Sequence, residues 1–325
     1  MLKKMMGIPR KPPMNDNFDY ITVNMMLPLG GDIICLVSYQ SEGHLFSIPS
    51  AIKKLTLLEG NCYNKTLFST NLTLSNISVS SSGTIWAVDN YGHLHSSKPT
   101  LNGEKRYKEL ETTSFALDWS FQSLPEGMPV CIIGEDDDLW IATYEGDLIH
   151  YNGKDFTMYP GIEMPIRFKE VDGQYFLMGY RGQLMQCIDG HWESIRFDSS
   201  VPADLPINDL TSLNGRLIAV SSLGFILSQQ DDATFSLMLS VPRISWFGCD
   251  TLQGVVYLAG GKHGAYKLVK GGVVSIKHKD PMVGVKVIGN EVMFLLASTL
   301  HGEFVRYKPF DKGRWGLMKT SIQVE

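Results

Sequence analysis

Seven times along the 325-residue chain, a glycine closes a short polar loop and opens an apolar strand. The copies read "GHLFSI" from Gly43, "GHLHSS" from Gly92, "GDLIHY" from Gly146, "GQLMQC" from Gly182, "GFILSQ" from Gly224, "GAYKLV" from Gly264 and "GEFVRY" from Gly302. Their spacings are 49, 54, 36, 42, 40 and 38 residues. Self-similarity at a period of about 20–50 residues marks an architecture of stacked units, none of which can bury its apolar surface alone.

Each unit resolves further. Upstream of the anchor glycine lies another turn and another apolar strand, as in "SGTIWAV", "DDLWIAT", "NGRLIAVSS" and "QGVVYLAGG". A shorter strand precedes that turn ("ISVSS", "VCIIGE", "INDLTSL"), and a looser one follows the anchor strand ("FTMY", "HWESIRF", "VVSIKH"). The pattern predicts four antiparallel strands per unit joined by tight turns. Two apolar residues follow most anchors in succession, among them Leu148-Ile149, Leu184-Met185, Ile226-Leu227 and Phe304-Val305. Both faces of these strands therefore require burial, where a half-exposed hairpin would alternate. Four-stranded sheets covered on both sides by their neighbours, at a period near 40, are propeller blades. A small residue recurs ahead of the loop at Ala87, Ala142, Ala219, Ala259 and Ala297, which suits close packing between blades.

The fold expected is all-β, a single seven-bladed β-propeller over residues 19–325, with six or eight blades as the alternatives. Residues 1–18, with Pro9, Pro12 and Pro13, are left as an N-terminal arm, and the long gap near 97–128 is an insertion that could cover the rim or grip a partner. Residues 19–29 offer a strand before the first hairpin and 314–325 one or two after the last; pattern alone does not say which terminus closes the ring.

"LWIATYEGDLIHYNGKDFTMY" resembles the propeller repeats in sensor regions of two-component regulators, and "GTIWAVDNYGHLHS" is similar to tectonin-type repeats. The likeness covers two blades well and the others through pattern alone. No WD dipeptide and no kelch double-glycine motif is present. The tectonin resemblance implies a carbohydrate-binding lectin whose aromatic residues stack on sugars.

Composition narrows the class. Hydrophobic residues make up 44%, charged residues 19%, and the net charge is -5, a globular profile without the clustered cations that nucleic acid requires. The first twenty residues hold no apolar h-region, and no apolar run approaches the ~18 residues needed to cross a bilayer, so no membrane role and a cytoplasmic location are expected. Cys35, Cys62, Cys131, Cys187 and Cys249 are odd in number and not closely paired, which reads as thiols in a reducing compartment. Sequons at Asn64, Asn71 and Asn76 then read as chance in a polar connector.

Chemistry is sparse. No G-x-S-x-G, H-E-x-x-H or glycine-rich phosphate loop occurs, so neither enzyme nor cofactor is expected. His93 and His95, two apart on a strand, point to one side. A metal ring joining His44, Asp147 and Glu303 of different blades fails on distance, since packed sheets lie ~10 Å apart and zinc–nitrogen bonds are ~2.0 Å; no metal is expected. The acidic run at 135–138 reads as a solvated turn. "SSSGTIW" at 80–86 resembles a sialidase Asp-box that lacks its aspartate.

The loops just before the anchor glycines carry the strongest functional signal. They hold Tyr39 and Glu42, Asp89 and Tyr91, Tyr144 and Glu145, Tyr180 and Arg181, Lys262 and His263, and His301. In a closed ring these loops gather on one face, and tyrosine and arginine are enriched where binding energy concentrates. The expected function is a non-catalytic binding scaffold, monomeric on its own, holding a protein partner on that face. Its most concrete form is a bacterial inhibitor or toxin-immunity protein; a lectin is the first alternative and a propeller lyase or hydrolase the second.

Overall fold

The computed structural model describes residues 20–40, 49–58, 61–70, 72–98, 105–106, 119–276, 278, 280–297 and 303–319. The N-terminal arm and residues 320–325 lie outside this set. The described residues form seven antiparallel sheets and no helix. They occupy 20–70 (blade 1), 74–123 (blade 2), 129–160 (blade 3), 165–194 (blade 4), 207–240 (blade 5), 248–275 (blade 6) and 282–319 (blade 7), and six of them hold four strands in sequence order. In blade 2 the fourth strand, Ser120–Ser123, comes from the long 97–128 stretch, and the short strand Lys105–Arg106 pairs outside it.

Double-sided burial explains why consecutive positions are apolar. Along Asp138–Thr143 of blade 3, Leu139 and Ile141 pack with Trp86 and Val88 of blade 2, while Trp140 and Ala142 pack with Phe168 and Leu177 of blade 4. Alternate side chains of one pleated strand thus serve opposite neighbours. Seven buried clusters result, one at each of the seven blade boundaries.

The seventh boundary closes the ring without strand exchange. Tyr20–Leu29 is the first strand of blade 1 and Arg314–Lys319 the fourth strand of blade 7, so each blade is built from one continuous piece of chain. Ile33, Cys35 and Val37 of blade 1 meet Met293, Leu295 and Phe304 of blade 7 in a single apolar cluster. Side-chain packing carries this seam, at about 25 cal/mol per Å² of apolar surface removed from water.

The anchor glycines are held in place by backbone geometry. Gly224 has φ +86°, and a Cβ there would stand 2.4 Å from the Val241 carbonyl oxygen; Gly264, at φ +83°, would meet the His278 carbonyl at 2.0 Å. The carbonyls of Gly92, Gly146 and Gly224 accept hydrogen bonds from Leu124, Gly161 and Val241, in the connector leading to the next blade. Each glycine therefore ties its loop to that connector, and both lie on the same face of the ring.

Candidate functional site: a loop face over a charged channel

The first strand of each blade faces the ring axis. The first strands of blades 1 to 5 and 7 line a cavity of about 600 Å³. In six blades the first hairpin slips register near its loop-face end, at Val23/Met25, Leu74/Asn76, Pro129/Cys131, Pro165/Arg167, Ile207/Asp209 and Met282/Gly284. Such a bulge re-aims the side chains that follow it.

Polar side chains near this end of three first strands pin one blade to the next. Asn76, Asp209 and Asp250 each occupy the third position of a first strand. Asn76 accepts from the Ile132 amide at 3.5 Å, Asp209 from Cys249 at 3.0 Å and Asp250 from Val287 at 2.8 Å. Asp209 is 1% exposed and also takes two cations from blade 4, Lys169 at 3.1 Å and Arg167 at 3.4 Å. Burial penalises its charge, but Lys169 and Arg167 outweigh that and hold the carboxyl below its usual range. Burial likewise opposes charge on Lys169, and Asp209 more than offsets it, moving that ammonium above its ordinary value. Burial, aided by nearby Lys169, moves Lys286 the other way.

The opposite face is closed by another clamp. The acidic run expected as a solvated turn meets the serine-rich turn of blade 2. Asp136 accepts from Ser82 Oγ at 2.7 Å, Thr84 Oγ1 at 3.0 Å and Trp86 Nε1 at 3.0 Å, while Glu135 accepts from the Ser81 amide and hydroxyl. The aspartate missing from "SSSGTIW" is thus supplied by the neighbouring blade, and its role is structural.

On the loop face, Tyr91, Tyr144 and Tyr180 are 56%, 52% and 52% exposed. Arg181, Lys262 and His263 are exposed beside them. Two expected members are corrected. Tyr39 is buried in the seam between blades 1 and 7, and burial pushes its phenol up in pKa. Asp89 is fully buried and folds inward onto His93 and His95. Glu145 is exposed but ties its loop to the preceding connector through the Met128 amide at 2.9 Å, and Arg181 pairs with Glu163 at 2.9 Å. Glu42 and His301 lie outside the described residues.

The structure adds apolar members, three from the connectors between blades and one from a loop. Met128 and Met164 accept from the Tyr144 and Tyr180 amides at 2.8 and 3.2 Å, so each methionine stands beside a tyrosine. Leu223 takes the loop position in blade 5, and Phe247 enters blade 6 on the same side. Exposed large apolar side chains therefore run in an arc over blades 2 to 6. Leu223 directly precedes an anchor glycine, whereas Met128, Met164 and Phe247 lie in connectors that carry no anchor.

Within blade 2, Asp89 Oδ2 lies 2.9 Å from His93 Nδ1 and 2.8 Å from His95 Nε2. Its Oδ1 accepts from the Tyr91 and His93 amides at 2.8 and 3.1 Å. His95 is fully buried and His93 about a quarter exposed. Burial opposes charge on Asp89, yet hydrogen bonds from both histidines hold it well below the carboxylate range. The bond to Asp89 raises the His93 pKa, and burial lowers that of His95.

No protein-family model and no curated protein matches this sequence. Solved structures match by shape. The chain is similar to YCF48 bound to D1 peptide (14% identity, TM-score 0.61, covering 91% of this chain and 97% of that one). It is similar to the WD40 β-propeller domain of Doa1 (9%, 0.54, 86% and 94%). It also matches the extracellular domain assigned to a hybrid two-component system of B. thetaiotaomicron (13%, 0.57), covering 86% of this chain but only 38% of that longer one. At these identities the likeness establishes the propeller fold.

Proposed function

We propose that this propeller is a non-catalytic protein-binding scaffold that seats a partner segment across its loop face. The supporting observation is the arc running from Tyr91 through the Met128/Tyr144 and Met164/Tyr180 pairs to Leu223 and Phe247, large apolar side chains left in water on one face. Tyrosine offers wide contact area at low entropic cost, and methionine adapts to irregular partners. Glu163, Arg181, Lys262 and His263 supply a polar rim, the usual anatomy of a protein interface. That a neighbour of the same fold is seen bound to a peptide is consistent with this use.

A pull-down from native lysate tests it. One stoichiometric protein partner is expected, and Tyr144→Ser with Tyr180→Ser should release it. Failure to recover any stoichiometric partner counts against the reading. Within this class the inhibitor or immunity-type role, in the cytoplasm, is the sharper form; it requires the captured partner's own activity to fall on mixing, and an unaffected partner rejects it.

A further inference from the structure

We infer that Asp89, His93 and His95 form a site for one divalent transition-metal ion of the zinc type, a property independent of partner capture on the loop face. Among the described residues, theirs is the group of histidine and carboxylate donors whose ligand atoms converge, all within 4.8 Å of one another.

The donor set suits such an ion. Two imidazole nitrogens and one carboxylate oxygen favour zinc, cobalt, nickel or copper over magnesium or calcium, which prefer oxygen alone. Three protein ligands leave a fourth position for water or an incoming side chain. His93 is the partly exposed member, so that position opens toward the loop face beside Tyr91.

Orientation is already built in. The Tyr91 and His93 amides occupy Asp89 Oδ1 and leave Oδ2 aimed between the two rings. Hydrogen bonds of this kind, outside the ligand shell, fix a ligating carboxylate. Phe121 packs edge-on against His93, and Phe68 lies beside His95, which limits ring rotation. Loop bracing alone does not require the histidines: in blade 3, Thr143 Oγ1 accepts from the Asp147 amide in the corresponding loop, where Asp147 and Ile149 stand at the positions of His93 and His95. Tetrahedral zinc with bonds of ~2.0–2.1 Å sets its ligand atoms about 3.3 Å apart. The present 2.8 and 2.9 Å contacts must therefore open by about half an ångström. Rotation of the partly exposed His93 ring can supply that. On binding, each imidazole gives up the proton facing Asp89, by tautomer exchange if neutral or to solvent if charged.

The test is titration of chelator-treated full-length protein with Zn²⁺ by calorimetry and with Co²⁺ by visible absorption. One equivalent is expected, with tetrahedral cobalt bands and a rise in the thermal midpoint on adding zinc. His93→Ala and Asp89→Asn, the latter keeping an acceptor for the loop amides, should each weaken binding by more than about 100-fold, since even residues outside the ligand shell matter at about 10–100-fold. His191→Ala, an exposed histidine at a hairpin on the opposite face and outside the cluster, should leave zinc uptake unchanged. A wild-type chain that takes up no equivalent of zinc and shows no thermal shift overturns the assignment, as does affinity retained in either ligand variant.

Discussion

The Lys169 ammonium of blade 4 sits 3.1 Å from the Asp209 carboxylate of blade 5, and the same carboxylate accepts the Cys249 amide of blade 6. One side chain thus ties three blades at the channel wall. Asp209→Asn would keep an acceptor but deprive the largely buried Lys169 of its nearest counter-charge. A loss of about 3–5 kcal/mol is expected in urea unfolding. The pH sign follows from the depressed folded pKa of Asp209: its contribution is present above the unfolded value and lost as pH falls through the folded one. The variant should lack that acid-side loss.

Lys53 gives the opposite signature. It is 1% exposed in blade 1, and burial pulls its pKa down to about 8 from 10.5. Between those values the unfolded chain binds the extra proton, so this residue's contribution grows more favourable as pH rises from about 8 to 10.5. Buried cysteines with raised pKa values pull overall stability the other way in that range, so the informative quantity is a difference. Unfolding free energies of wild type and Lys53→Met, measured across pH 7–11, should converge on the alkaline side, with the variant more stable near pH 7.

Gly224→Ala tests why the anchor is glycine. The new Cβ would need a left-handed backbone and would overlap the Val241 carbonyl at 2.4 Å. A loss of about 2–4 kcal/mol is expected in chemical denaturation. Gly173→Ala, also at positive φ but with nothing within 4 Å, should cost less.

The blades were legible in sequence because strand, turn and anchor glycine recur, and because neighbours on both sides force apolar residues into consecutive positions such as Leu148 and Ile149. Tyr91, Tyr144 and Tyr180 were found because their loops share that anchor. Other features were hidden for physical reasons. Tyr39 holds a loop-end position, yet closing the ring without a shared strand draws it into the seam. Asp89, His93 and His95 converge within one blade, whereas spacing drew attention to equivalent positions on different blades. The third-position clamps of Asn76, Asp209 and Asp250 rest on bonds across 37 to 56 residues, which no local pattern reports.

The loop face is tested most directly by placing a photo-cross-linking amino acid at Leu223, 60% exposed on the apolar arc, and separately at Ile188, 42% exposed at a hairpin on the opposite face. After illumination in native lysate, one discrete protein adduct should form from position 223 and none from 188. Adduct formation from 188 with none from 223, or equal labelling from both, would contradict the assignment of partner binding to the loop face.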